Sequence, residues 1–74
     1  MKNERVFTIE TEQETEGRWV AEVLELPGVM AYGESVDKAR AKVGALAFRV
    51  LADELEENQN TSFASFSNIS FSVA

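Results

Sequence analysis

Four carboxylates could do chemistry if the fold brought them together: Glu10, Glu12, Glu22 and Asp53. Carboxylates that converge from strands and a helix hold magnesium ions and polarise a phosphoryl group. Here the spacing opposes convergence. Glu10, Glu12, Glu14 and Glu16 form an alternating run that faces solvent and then enters a turn, the usual pattern of a solvated face. Nucleophilic catalysis fares no better. A serine needs a base to take its proton, and the chain has no histidine. Lys2, Lys38 and Lys42 fall at a terminus and on a helix flank, with no burial pattern to lower a pKa. With no cysteine either, disulfides and the usual zinc sites are excluded. The four glycines are scattered, so no phosphate loop forms. The expectation is a protein that is not an enzyme, with no catalytic residue, metal or cofactor.

Charge points to a protein partner instead. Thirteen acids against seven bases leave a net charge of −6, which opposes direct nucleic-acid binding and suits a basic partner. Trp19 and Tyr32 could stack on bases, but the chain has no basic stripe to hold a phosphate backbone. Trp19 reads as core or as an interface anchor. Glu10, Glu12, Trp19, Glu22 and Tyr32 are the candidate interface residues.

The elements that must position them follow from periodicity. Residues 5–12 alternate, with Val6, Thr8 and Glu10 on one face and Phe7, Ile9 and Thr11 on the other, which is a strand with one apolar side. A polar turn, Gln13 to Gly17, leads to a second strand over 18–26, antiparallel to the first and apolar enough to be central. Pro27-Gly28 breaks that ladder. Proline has no N–H to donate, and glycine accepts the positive φ of a type II turn. Residues 29–32 form a short third strand, and Gly33 releases the backbone. Ser35 is the helix N-cap, with Asp37 favouring the positive end of the dipole.

From Val36 the apolar period changes to three and four through Ala39, Val43, Leu46 and Val50, a helix of about twenty residues ending near Glu57. Gly44, inside it, could admit a strand or a second subunit. Asp53, Glu54, Glu56 and Glu57 sit at the negative helix end, unfavourably unless a basic group meets them. Asn58 to Thr61 form the exit. In the tail from Ser62, serines alternate with Phe, Ile and Val: Asn68, Ser70 and Ser72 on one face, Ile69, Phe71 and Val73 on the other. The expected fold is α+β, in the order β-β-β-α-β, an antiparallel sheet with one long helix packed on one face.

Seventy-four residues, 45% of them hydrophobic, make a single domain over 1–74 whose core supplies only about 3–5 kcal/mol. Without disulfide or metal, oligomerisation is the remaining support, and a homodimer or homotetramer is expected. The longest apolar runs are a few residues and the N-terminus carries no apolar signal region, so a cytoplasmic protein that does not enter membranes is expected.

Gly17 to Leu51, "GRWVAEVLELPGVMAYGESVDKARAKVGALAFRVL", resembles the N-terminal domain of the HicB family of antitoxins. The shared pattern is an aromatic strand leading into "ELPG", a short strand, "GxS", and a helix opening with an acid and alanines. Glu25, Leu26, Pro27, Gly28, Gly33, Ser35, Asp37 and Ala39 match it in order and spacing, and "NISFSV" sits where the closing strand should. The resemblance covers roughly residues 5 to 73. It implies a partial ribonuclease H-like fold without catalytic acids, a homo-oligomer, and a partner: a small basic mRNA-cleaving toxin of the HicA type, whose active-site face the antitoxin covers. No separate DNA-binding domain of the kind many HicB proteins carry is expected here, so autoregulation through DNA is not implied. The alternative is an orphan oligomeric module of this fold that binds another protein or a small ligand without a toxin.

The turn generates the first prediction. Replacing Pro27 and Gly28 together by alanine should lower thermal stability more than any surface substitution. A melting temperature within about a degree or two of wild type would contradict the assigned role of the turn.

Overall fold

The computed structural model describes residues 4–58 and 62–74; Lys2 and most of the expected helix exit, Gln59 to Thr61, lie outside them. β1 (Glu4–Gln13) alternates as its sequence requires, with Phe7 and Ile9 buried and Val6 and Glu10 exposed. A tight loop, with a 3-10 turn at Thr15–Gly17, returns the chain into β2 (Trp19–Val23). The loop closes through Glu14 N–H to the Arg18 carbonyl at 2.7 Å, with Glu16 and Gly17 both at positive φ. β3 (Met30–Gly33) follows, then α1 (Val36–Glu57), and β4 (Asn68–Val73) closes the sheet.

Strand order is β3-β2-β1-β4, with β1 and β2 central. β1 pairs antiparallel with β2, and β2 with β3. The α+β class and the order β-β-β-α-β are as expected, but the sheet is mixed rather than antiparallel throughout, because β4 runs parallel to β1. The helix explains this. Its 22 residues extend about 33 Å, roughly the length of the ten-residue β1. It therefore carries the chain back to the end where β1 begins, and β4 must leave in the same direction.

α1 begins and ends as its sequence dictates. The Ser35 hydroxyl accepts from Lys38 N–H at 3.1 Å, with Asp37 in the first turn. Ala39, Val43, Ala47 and Leu51 form one buried ridge, packed on Phe7, Ile9, Ala21, Val23, Val29 and Phe66. The acids at the helix end find part of their answer inside the chain. Glu54 meets Arg5 at 3.5 Å, and the Arg5 guanidinium lies 4.8 Å from the Phe66 ring centre and 5.4 Å from that of Phe7, roofing this end of the core with a cation on aromatic faces.

The tail differs from the expectation at its start. Residues Phe63–Phe66 form a 3-10 turn rather than strand. Serines cause this: Ser62 Oγ accepts from Ala64 N–H, while the Ser65 and Ser67 hydroxyls donate to the carbonyls of Ser62 and Ala64. Such local bonds compete with a ladder. Phe66 turns into the core and Phe63 stays exposed. Among the described residues no helix is long and apolar enough to cross a membrane.

Two glycines have opposite reasons for being there. Gly33 has no positive φ; its role is close approach, because a Cβ there would lie 2.5 Å from the Ala39 nitrogen and 2.9 Å from its Cα. Around Gly44 nothing lies within 4 Å of an added Cβ. Gly33→Ala should therefore destabilise by about 1–3 kcal/mol, and Gly44→Ala should stabilise by about 0.5–1 kcal/mol. Urea unfolding of the two variants checks both signs.

Candidate functional site

Leu24 is where β2 stops, and the way it stops builds one end of a surface. Leu24 N–H still donates to the Thr8 carbonyl at 3.0 Å. The chain then leaves the ladder through two successive turns, Leu26 N–H to Val23 carbonyl and Val29 N–H to Leu26 carbonyl. Gly28, at φ +85°, supplies the type II geometry after Pro27. β2 is thus shorter than the expected 18–26, because Leu24, Glu25 and Leu26 are spent on the turns.

Departure of the backbone would leave Thr8 N–H without its ladder acceptor. Glu25 supplies one: a carboxylate oxygen accepts from Thr8 N–H at 2.6 Å, and the other accepts from the Thr8 hydroxyl at 2.8 Å. These bonds, the backbone one foremost, favour the charged form and hold the Glu25 carboxyl below its usual range. Sequence reasoning placed Glu25 in a motif and missed this role. The legible signal was an acid immediately before a turn that must break a ladder.

The sheet face opposite α1 carries no layer among the described residues. Register places three rows across it: Glu12, Val20 and Tyr32; Glu10, Glu22 and Met30; Thr8 beside Leu24 and Ser72. Val20 is buried yet separate from the main core, while Met30, Tyr32 and Leu24 are exposed. The Arg18 guanidinium stacks 4.3 Å from the centre of the Tyr32 ring and reaches Glu14 at 3.4 Å. A shallow hollow of about 290 Å³ has Glu10, Glu12, Glu22, Val20 and Met30 in its lining.

Glu10 and Glu22 are direct cross-strand partners, and like charges in that position repel. The ion pairs among the described residues are Arg5–Glu54, Arg18–Glu14 and Lys38–Glu34, so none neutralises Glu10, Glu12 or Glu22. Four of the five candidate interface residues, Glu10, Glu12, Glu22 and Tyr32, therefore share this face. Trp19 does not: it sits half-buried on the helix side, packed against the core. Asp53 is also elsewhere, on α1 across the sheet from the three glutamates, so the four carboxylates do not meet. Lys38 and Lys42 lie at the β3 edge near Arg18 and Glu34. Gly33 and Ser35 hold the helix start, and Pro27 and Gly28 hold the turn.

Comparison with known protein families, characterised proteins and solved structures finds no match for this chain. The open face thus brings together an aromatic ring under a guanidinium, two exposed apolar side chains, and three carboxylates with no ion-pair partner among the described residues.

The Glu25 clamp generates a pH prediction. A carboxyl held below its ordinary pKa in the fold contributes stability that is fully present above the unfolded value, 4.5, and lost as pH falls through the folded value. Glu25→Gln should lower stability at neutral pH and flatten the loss of stability on acidification below that value, as measured by urea unfolding across pH. An unchanged acid limb would remove Glu25 from the account.

Proposed function

We propose that this chain is an antitoxin of a type II toxin–antitoxin system, neutralising a small basic mRNA-cleaving toxin of the HicA type by direct contact. The reading rests on the HicB resemblance over Gly17 to Leu51 and on one structural observation. Among the described residues Glu10, Glu12 and Glu22 stand without ion-pair partners around Val20, Met30 and Tyr32 on the open sheet face. The repulsion between Glu10 and Glu22 is relieved when a cationic side chain docks between them. An RNA-cleaving protein must carry basic groups to hold phosphate, and carboxylates spaced along a sheet compete for those same groups. Tyr32, stacked with Arg18, is of the type that anchors such contacts. The work of the chain is then steric and electrostatic: it covers the toxin's substrate face and performs no bond chemistry.

The test is affinity capture by the tagged chain from its native lysate, eluted at rising salt. A small basic protein that leaves at high salt, and whose RNA cleavage stops when the chain is added back, is the expected result. The double variant Glu10→Lys, Glu22→Lys should keep its circular dichroism and bind that protein at least about tenfold more weakly. Equal binding by the variant would falsify the use of this face. Recovery of the chain alone would favour the orphan module instead.

A further inference from the structure

The two edges of the sheet are built differently. β3 is four residues long and flanked by Glu34, Lys38 and Lys42, the short and charged kind of edge that discourages pairing. β4 has six residues, Asn68 to Val73, with no proline and no charge. Ala74 N–H donates to the Ile9 carbonyl at 3.0 Å, which fixes the direction of its backbone groups. Those of Ser70, Ser72 and Ala74 face β1, so by alternation those of Ile69, Phe71 and Val73 face outward. Among the described residues they have no backbone partner.

Apolar side chains gather at the same edge. α1 lies mainly over β2 and β3, and β4 is only partly covered: Ile69 and Phe71 pack against the core, with Phe71 meeting Phe48 edge-on at 5.4 Å. Phe48 remains 57% exposed and Val73 51%, and on the opposite face Val6, the partner of Ser70, is also exposed.

We propose that β4 is the seam of a homodimer, its outer edge pairing antiparallel with β4 of a second copy across a two-fold axis. Charge selects the occupant. No residue of β4 is charged, so copies with a net charge of −6 repel least when they approach through this edge. A basic partner is drawn instead to the carboxylates of the open face. An identical strand in antiparallel orientation is self-complementary, as a two-fold interface requires. The result is a continuous eight-stranded sheet. The strips over the outer side of β4 that each helix leaves partly open join into one trough floored by Phe71 and Val73 and walled by Phe48. The inference assigns a surface to the oligomer that the chain's size calls for, and it does not depend on the identity of any toxin.

The test is sedimentation equilibrium of the purified chain alone, across a concentration series. Wild type should show twice the chain mass of 8.2 kDa. Ser70→Lys places a charge on the exposed side of the edge, and Val73→Pro removes an outward donor that takes no part in the bonds to β1. Both should shift the mass to that of a monomer with the far-ultraviolet spectrum retained. Met30→Lys, on the open face away from β4, should leave the dimer intact. A monomeric wild type would overturn the proposal. So would a folded Ser70→Lys variant that stays dimeric, or a monomer produced by Met30→Lys.

Discussion

The first turn of α1 rests directly on the backbone of Gly33, with no room for even a methyl group between them. Much else depends on that contact. It places the helix start against the end of β3, where Ser35 caps it. Small residues continue the close approach, since Ala21, Ala39 and Ala47 are fully buried and Ala31 packs against them. At the far end the spacing is filled by larger groups, Leu51, Phe7 and Phe66, with Arg5 closing the roof to Glu54. One helix docked in this way packs mainly on β2 and β3 and reaches β4 only at Phe71, so the outer side of β4 stays open because of where the helix is anchored.

The open sheet face and the β4 edge have opposite chemistry. The open face carries carboxylates opposed across strands, with Arg18 and Tyr32 stacked beside them. The β4 edge carries only uncharged residues, with Val73 exposed and Ile69 and Phe71 partly buried. A chain this small cannot bury all its apolar area in one core. The remainder is segregated by charge, with the acids on the open face and the uncharged strand at the opposite edge from β3.

The turn between β2 and β3 works on a smaller scale. Pro27 and Gly28 give the backbone its path, but a path that leaves a ladder early strands an amide. The Glu25 carboxylate takes the place of the missing carbonyl at Thr8. Packing and polar satisfaction are met by neighbouring residues of one segment, the six positions between Val23 and Met30.

Much of this was legible in the residue order. The alternation of β1, the three-and-four spacing from Val36 to Leu55, the Ser35 cap and the Pro27-Gly28 turn are local patterns, because each rests on interactions within a few residues. Ser62 to Ser67 were misread as strand, since alternation of serine with apolar residues looks the same whether the hydroxyls face water or cap turns. The sharing of one face by Glu10, Glu12 and Glu22 follows from alternation once the register of β1 and β2 is known. The residue order determined the succession of three strands, one helix and a closing strand, where the helix begins and ends, and that no histidine or cysteine chemistry exists here. Only the tertiary structure decided that β4 runs parallel to β1, that Trp19 and Asp53 lie across the sheet from the glutamates, that Glu25 binds Thr8, and that Gly33 serves contact rather than conformation. These depend on which distant segments meet, and the helix docking that brings them together is encoded in packing between residues far apart in the chain.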